Sequence, residues 1–400
     1  MPESNKLKEE LIFSQKINTK RIIDDLIKNF SVKEKNVIKR RFGLDRIKRE
    51  TLEQVGQAHG LTRERIRQIE KVLINKINEA KELQKELNEL QKIVALILEE
   101  HGGMAEKQHL FGLLDKVSEL GLKVGDEEKK NKIQKNHFDF LLSRIFNDSL
   151  DEIKRSERFK DSYKFKDSSL DHFEYLFQEL NDEVQKLNNI INISELVELI
   201  LKLENYKKHE DKFKTSEKMY SYGLLDDSLS EEERDIFKNH SGLYSFLQTI
   251  RELEKNKFGH WGHVSWKEIS PKTVNDKIYL VLKNYGKPLH FTEIAELINE
   301  TNFDHKRTNS ATVHNELILD DKYVLIGRGM YGLKEWGFKQ GTVTQVIKDI
   351  LESSSDSLGR EEIVKRVLES RMVKESTINL ALSNRKIFQK VGDKYVITEN

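Results

Sequence analysis

The sequence predicts a mainly α protein in which a helix-turn-helix is followed by small modules, each with three helices and a β-hairpin. Two observations predict this architecture. Within residues 51–77, apolar side chains recur at helical spacing on both sides of a glycine turn. From residue 90 onward, the order of three helices and a hairpin recurs three times. The composition agrees, because 34% of the 400 residues are charged and 37% are hydrophobic, as expected of a helical, well-solvated chain.

The first helix of the helix-turn-helix is predicted from residue 51 onward. Thr51 is a suitable N-cap, because its hydroxyl can accept a bond from a free main-chain N–H of the first turn. Leu52, Val55 and Gly56 follow at spacings that place them on one face. Gly60 can adopt the positive φ that a sharp reversal needs. These residues predict a short helix that ends in a tight turn.

The second helix of the motif has two different faces. Thr62 is its expected N-cap, and the apolar residues of its inner face are Ile66, Ile69, Leu73 and Ile77. The opposite face has Arg63, Glu64, Arg67 and Gln68. Arg and Gln can form bidentate contacts with guanine and adenine, and Glu can accept from cytosine. The simpler alternative is a solvated charged face, but the capped helix after a glycine turn favours a helix that binds the DNA major groove.

Residues 30–77 resemble region 4 of the primary sigma-factor family of bacterial RNA polymerase. The similar segments are RRFGLD (40–45), TLEQVGQ (51–57) and LTRERIRQIE (61–70). The resemblance implies that the four base-contacting candidates face the −35 promoter element and that Lys33 and Arg41 lie near phosphates. It covers about fifty of the 400 residues. No stretch resembles the aromatic, basic helices with which sigma factors open a promoter, so we expect no promoter melting by this chain alone.

The segment before the helix-turn-helix is also predicted to be helical. Its apolar residues recur at helical spacing from residue 22 to residue 30, and Ser31 with Glu34 forms a capping box at the start of the next helix. Val37, Ile38 and Phe42 are expected to pack that helix against the helix-turn-helix. In sigma factors this part also contacts the flap of the β subunit. The resemblance therefore implies RNA polymerase core as a partner.

Positive charge is concentrated at the start of the chain. Residues 1–85 contain 21 Lys and Arg against 13 Asp and Glu, a net charge of +8, whereas the remainder has 48 against 55, a net charge of −7. A chance fluctuation is the alternative, but the asymmetry favours double-stranded DNA as the partner of the basic part. The candidate phosphate contacts are Lys33, Arg41, Arg46, Lys48, Arg49, Thr62 and Arg65.

The chain is predicted to contain several domains. Three later segments have the order of parts of a winged-helix module, in which a β-hairpin forms the wing. The expected domains are a polar tail over 1–20, the helix-turn-helix over 21–85, winged-helix modules over 90–168, 271–337 and 341–400, and a decorated helical module over 170–266, for which a fourth winged helix is the alternative. In the first module, the charged run 125–132 is expected to be a loop, 137–146 the third helix, and 154–166 the wing. Within 170–266, residues 191–203 are expected to begin as a short strand, and 205–235 are expected to be loop.

Residues 271–337 resemble the HARE-type helix-turn-helix domain, which also occurs in the delta subunit of bacterial RNA polymerase and in some restriction proteins. The similar segments are KIYLVLKNYGKPLHFTEIAELI, TVHNELI and GRGMYGLKEWG. The candidate contacts here are Thr312, His314 and Asn315 on the third helix and Arg328 at the tip of the wing. An exposed Arg in a hairpin is as often only solvated, and members of this family include protein-interaction modules as well as DNA binders.

No catalytic or cofactor motif is present in the sequence. There is no cysteine, phosphate-binding glycine loop, GxSxG or HExxH, so we expect no enzyme activity, no cofactor and no small-molecule substrate. His260 and His263 have a spacing that could serve a metal, but their aromatic neighbours favour a structural role. No run of eighteen apolar residues and no secretory h-region is visible, which predicts a cytoplasmic, nucleoid-associated protein without a membrane partner.

Three hypotheses for the function remain open at this point. The first is a sequence-specific DNA-binding transcription regulator that acts with RNA polymerase. The second is a polymerase-associated adaptor, similar to the delta subunit, that binds mainly protein. The third is a DNA-targeting component of a restriction or defence system.

Overall fold

The computed structural model describes ten segments of the chain. The described residues are 16–80, 85–122, 125–154, 156–213, 229–238, 240–304, 306–338, 341–354, 357–371 and 373–398. Most of the tail that was predicted over 1–20 lies outside them. The chain divides into two compact units, Met1–Glu254 and Lys255–Asn400. The architecture is mainly helical with small sheets, as predicted.

The first unit begins with the predicted helix-turn-helix and the helices that precede it. In chain order, these elements are β1 (Ile17–Asn18), α1 (Thr19–Leu26), α2 (Val32–Phe42), α3 (Leu52–His59) and α4 (Arg63–Ala80). The predicted capping box of Ser31 and Glu34 is confirmed at the start of α2. Thr51 caps α3 as predicted, and Gln54 completes a second capping box. Local hydrogen bonds therefore set where these helices begin.

A second group of elements follows in the first unit. They are α5 (Lys85–Glu100), β2 (Met104–Glu106), α6 (Lys107–Val117), β3 (Ser118–Glu119), α7 (Glu127–Phe140), a π-helical turn (Leu141–Ile145), β4 (Leu150–Ile153) and β5 (Ser162–Phe165). The continuous helix expected from residue 71 towards residue 98 cannot be followed, because residues 81–84 lie outside the described ranges. Strands β2, β5 and β4 form an antiparallel sheet in that order.

Two expectations for this group were wrong. The charged run 125–132 is not a loop, because α7 begins at Glu127 after the N-cap Asp126, whose carboxylate accepts a bond from the main-chain N–H of Lys129 at 3.2 Å. The first turn of α7 is exposed on all sides and so lacks the apolar stripe that reveals a helix in sequence. The hairpin also begins earlier than predicted, since β4 starts at Leu150 rather than within 154–166.

These two groups of elements share one hydrophobic core. Ile38 and Phe42 of α2 belong to it together with residues of α5, α6 and α7, and the rings of Phe42 and Phe140 are 4.8 Å apart. Strand β1 pairs in parallel with β3, with Ile17 opposite Ser118. Ile38 and Phe42 share this core with Leu73 and Ile77 of α4, as expected, and the core also extends beyond the helix-turn-helix. Residues 17–165 form one folded body wherever the structure describes them.

The remainder of the first unit is also helical where it is described. Its helices are α8 (Asp171–Leu187), α9 (Ile193–Lys202), α10 (Glu204–Lys208), α11 (Glu210–Phe213), α12 (Glu231–Lys238) and α13 (Ser241–Thr249). Strand β6 (Leu253–Lys255) follows at the boundary between the units, and β7 (Trp261–His263) belongs to the second unit. The strand expected at the start of 191–203 is wrong, because a capping box of Asn192 and Glu195 starts a helix there. The loop expected over 205–235 is likewise replaced by α10, α11 and α12 in its described parts.

The second unit contains two segments with the same order of elements. The first has α14 (Val274–Tyr285), β8 (Leu289–His290), α15 (Phe291–Thr301), α16 (Ser310–Leu319), β9 (Tyr323–Gly327) and β10 (Met330–Leu333), followed by a 3₁₀ turn (Lys334–Trp336). The second has α17 (Val343–Glu352), β11 (Leu358–Gly359), α18 (Arg360–Ser370), α19 (Glu375–Leu382), β12 (Phe388–Val391) and β13 (Lys394–Ile397). The helices and hairpins predicted for both segments are present, and each segment has its own hydrophobic core. No helix in the described ranges is long and apolar enough to cross a membrane.

Candidate nucleic-acid interface

The helix-turn-helix positions α4 through a glycine turn and a small core. Helix α3 ends at Gly60, whose φ of 63° is left-handed as the sequence predicted. The hydroxyl of Thr62 accepts a bond from the main-chain N–H of Arg65 at 3.2 Å, as expected of an N-cap. Val37, Val55 and Ile66 are buried together behind the turn. One face of α4 is therefore fixed inward, and the opposite face points to solvent.

The four base-contacting candidates are all on that outward face. Arg63, Glu64, Arg67 and Gln68 are exposed. The guanidinium of Arg67 binds the carboxylate of Glu64 through two bonds, Nε to Oε2 at 2.8 Å and Nη2 to Oε1 at 2.6 Å. The bonds from Arg67 hold the pKa of Glu64 below its ordinary value, so the pair is charged at neutral pH. The four candidates thus occupy consecutive turns of a single surface.

This arrangement leaves the side chains able to exchange partners. An ion pair in water contributes little free energy, because solvent and salt screen it. Arg67 can therefore leave Glu64 for a guanine edge at small cost, and Glu64 is then free to accept from cytosine. The chemistry available on this surface is hydrogen bonding to base edges in a groove wide enough for a helix.

Besides Arg49, four of the phosphate-contact candidates are exposed. These are Lys33, Lys48, Thr62 and Arg65. The guanidinium of Arg65 lies 3.3 Å from the Gln68 side-chain oxygen. Arg65 is thus next to the base-contacting candidates along α4 and exposed like them.

The other three phosphate-contact candidates have protein partners. Arg41 donates from Nε to Glu70 at 2.7 Å, Arg46 donates from Nη1 to Glu50 at 2.9 Å, and Arg49 donates from Nε to Asn136 at 2.9 Å. The side chain of Arg41 is only 18% exposed. Arg41 thus joins α2 to α4, Arg46 stabilises the loop between α2 and α3, and Arg49 joins that loop to α7. A phosphate contact by any of them would be additional to that structural role.

The candidates in the second unit differ among themselves. Thr312 and Asn315 of α16 are exposed, and Arg328 is exposed at the turn between β9 and β10. His314 is half-buried, and its ring lies 4.6 Å from that of Phe291, so its contacts are those of a packing residue. Gly329 has a φ of 70°, and an added Cβ would come within 2.3 Å of the His290 ring. The turn next to Arg328 therefore requires glycine at position 329.

A metal site is not indicated at His260 and His263. No group of three or more His, Asp or Glu residues that could hold a metal is found within the described ranges. The main-chain carbonyl of His260 accepts a bond from the N–H of Asn256 at 2.8 Å, which closes the turn before Trp261. The main chain of His260 thus helps to form this turn.

Helix α7 supplies residues beside the interface that the sequence did not reveal. The amide of Asn136 lies 3.1 Å from the carbonyl oxygen of Gly43, and His137 Nε2 lies 2.7 Å from that of Leu44. Both carbonyls belong to the basic loop between α2 and α3. The lysines of α7 were visible in the sequence, but nothing in their local pattern indicated that they lie next to a loop about ninety residues earlier.

Comparison with known proteins gives a match to one part of the chain. Residues 27–78 match the family described as Sigma-70, region 4. The chain is 53% identical over 49 residues to the RNA polymerase principal sigma factor HrdD of Streptomyces coelicolor and to that of Streptomyces viridifaciens. It is 46% identical over 55 residues to the RNA polymerase sigma factor SigA of a Bacillus species.

Each match covers only a small part of this chain and of the related protein. The matches cover 12% to 14% of this chain and 15% of each relative. The matched region is a non-enzymatic transcription-factor domain, and no enzyme family is indicated. The similarity is therefore confined to the segment that contains α2, α3 and most of α4.

Proposed function

We propose that this protein is a sequence-specific DNA-binding transcription regulator that acts with RNA polymerase at promoters. Helix α4 enters the major groove, with Arg63, Glu64, Arg67 and Gln68 contacting bases. Exposed cations of the same segment neutralise the flanking phosphates. The regulator works on the nucleoid and lacks the promoter-melting parts of a full sigma factor.

One observation supports this proposal above the others. The base-contacting candidates point outward from a helix whose opposite face is anchored in the core, since Ile66 has no exposed surface and Leu73 is 1% exposed. A recognition helix has to be held rigidly from behind while its polar face stays available. The segment with this geometry is the same one that matches Sigma-70, region 4.

A contact with RNA polymerase is supported by a groove between α2 and α4. The groove has a volume of about 460 Å³, and its lining is half apolar and half polar: Val37, Leu61, Ile69, Val72 and Leu73, with Ser31, Lys33, Glu34, Arg65 and Gln68. Val72 is 51% exposed. A groove of this kind suits the apolar face of a helix on a partner protein. We propose that the partner element is the flap of the polymerase β subunit.

The second candidate function is that of a polymerase-associated adaptor, and the third helices of the second unit favour it for that part of the chain. We propose that 90–168, 271–337 and 341–400 are winged-helix modules and that 271–337 is of the HARE type. Helices α16 and α19 contain no Lys or Arg. Leu319 at the end of α16 is 79% exposed, and Leu380 of α19 is 75% exposed. Such helices lack the cations of a DNA-binding surface, so the two modules of the second unit bind protein.

The test combines a capture experiment with a selection experiment on the full chain. In the first, the immobilised protein is incubated with RNA polymerase core and the bound polymerase is measured. In the second, the protein selects the duplexes that it binds from a random-sequence DNA pool. Polymerase capture together with a −35-like selected motif is the expected result. Polymerase capture without a motif would favour the adaptor. A motif unlike the −35 element, obtained without polymerase capture, would favour an independent repressor or a DNA-targeting factor.

A further inference from the structure

A basic cleft lies where the helix-turn-helix segment meets α7. It has a volume of about 450 Å³, and Phe111 forms part of its lining. The cationic residues that line it are Arg49, Lys107, Lys132 and Lys135, and the carboxylates are Glu128 and Asp139. Four cations against two carboxylates leave the lining with a net charge of +2. The cleft is therefore suited to an anionic ligand.

The negative charge at the inner end of the cleft is already neutralised. Asp139 is paired with both Arg49 and Lys107. Although burial alone would raise it, the bonds from Lys107 and Arg49 hold the pKa of Asp139 below its ordinary value. The outer cations are different, because Lys132 and Lys135 are exposed, and Lys135 Nζ donates to the neutral Gln108 amide at 3.1 Å. The charge available to a ligand is thus that of the two lysines, reduced by the carboxylate of Glu128 on the same lining.

The cleft is attached to the helix-turn-helix through fixed contacts. Asn136, which follows Lys135, lies within 3.3 Å of the carbonyl oxygens of Arg46 and Ile47 and accepts a bond from Arg49. These hydrogen bonds join Asn136 to the main chain of the basic loop as well as to a side chain, and they therefore fix α7 relative to that loop. Lys132 and Lys135 are three residues apart on a helix and so lie on the same side.

The surface is continuous from α7 to the recognition helix. Arg49 is two residues before Thr51, so their Cα atoms are at most about 7.6 Å apart. Thr51 in turn lines a surface depression together with Arg41 and Arg63, the first residue of α4. The path therefore runs from the exposed lysines of α7 through Arg49 to the N-terminal end of α4.

From this continuity we propose that α7 is a second DNA-contacting element, in which Lys132 and Lys135 neutralise backbone phosphates on the flank of the site that α4 occupies. The proposal rests on DNA binding by the helix-turn-helix. It extends the contact to a helix outside the segment that matches Sigma-70, region 4. Because both elements belong to one folded body, they engage the duplex together and lengthen the protected site on one side.

The test is the salt dependence of DNA binding by full-length variants. Each phosphate contact contributes about 0.9 to the slope of log K against log salt concentration. Lys132→Gln with Lys135→Gln is expected to reduce that slope by about 2, while the selected sequence motif stays unchanged. The matched control is Lys129→Gln with Lys130→Gln on the same helix, where the lysines pair with Asp126 and Glu127. The control removes the same charge and is expected to change the slope by less than half as much.

Duplex length provides a second measurement. A duplex extended by about five base pairs, half a helical turn, on the α7 side should bind the wild-type protein more tightly than one that ends at the recognition site. The Lys132 and Lys135 variant should lose that gain. An equal slope change in both double variants, or the same gain with length in variant and wild type, would overturn the proposal. Binding of inorganic phosphate to the cleft, without any effect of duplex length, would also overturn it.

The outcome can be separated from that of the proposed function. If wild-type protein selects a motif but the α7 variant keeps the full salt slope, only the extension by α7 is wrong. If the slope falls as expected but no motif is selected, sequence-specific reading by α4 is wrong and the phosphate contact stands. If wild-type protein does not bind duplex DNA at low salt, both proposals fail.

Discussion

The side-chain amide of Asn136 donates to the main-chain carbonyl oxygen of Gly43 across 3.1 Å. Gly43 ends α2 with a φ of 66°, and an added Cβ there would come within 2.6 Å of the Asn136 amide nitrogen. The absence of a side chain at position 43 therefore allows both the backbone conformation and the close approach of α7. This contact joins the helix-turn-helix segment to the module that follows it.

The first prediction concerns the stability of this junction. Asn136→Ala removes an amide that serves several carbonyl groups of the 43–47 loop, and leaving buried carbonyl groups unpaired costs about 1 to 3 kcal/mol. We expect the free energy of unfolding in urea to fall by that amount. Asn131→Ala, on the exposed side of the same helix, is the control and should change it by less than about 0.5 kcal/mol. Equal effects of the two substitutions would contradict the assigned role of Asn136.

The second prediction concerns sequence preference. Arg67→Ala with Gln68→Ala removes two base-contacting side chains, and each such contact discriminates by about 1 to 3 kcal/mol. Selection from random duplexes should yield a motif that has lost its preference at the corresponding positions, while non-specific affinity largely remains. Lys71→Ala, one turn further along the exposed side of α4, should leave the motif intact. A motif unchanged in the double variant would show that these residues do not read bases.

The third prediction is a loss of stability in acid that involves His137. Its Nε2 donates to the carbonyl of Leu44, and its Nδ1 lies 2.9 Å from the hydroxyl of Thr19. Burial lowers the pKa of His137 to about 4, although the bond to Leu44 opposes the shift. In the unfolded chain the pKa of a histidine is about 6.5, so below that pH the unfolded state binds more protons. The contribution of His137 is complete above about pH 6.5 and decreases as the pH falls towards 4.

The measurement is the free energy of unfolding at pH 7 and at pH 5. A single histidine with these two pKa values loses about 2 kcal/mol over that interval. His137→Gln should be less stable than wild type at pH 7 but should show a smaller decrease on acidification. His263→Gln, whose ring is only partly buried, serves as the control. If the His137 variant follows the same pH profile as the wild-type protein, the buried neutral imidazole is not the cause.

The fourth prediction concerns the groove between α2 and α4. Val72→Glu places a charge among the apolar residues of its lining, and burying that charge under a partner helix is unfavourable. We expect affinity for RNA polymerase core to fall by about tenfold or more, which corresponds to about 1.4 kcal/mol. Asn75→Glu introduces the same charge on an exposed position of the same helix outside the lining. If both variants bind polymerase equally well, the partner does not occupy the groove.

Local interactions made the helix-turn-helix predictable. The caps at Ser31 and Thr51, the left-handed turn at Gly60 and the inward position of Ile66 depend on residues a few positions apart, so the sequence contained the information. The same reasoning predicted the hairpins of the second unit. It failed at α7, because a helix whose first turn is exposed on all sides has no apolar periodicity.

The sequence by itself determined the helix-turn-helix, the outward position of its four base-contacting candidates and the excess of positive charge at the beginning of the chain. Only the tertiary structure decided that Ile17 pairs with Ser118 and that Asn136 binds the loop at Gly43. Those contacts join residues about 90 to 100 positions apart, and their formation depends on a shared core rather than on local propensity. The position of the α7 lysines beside Arg49 follows from that core, which is why no local sequence pattern could predict it.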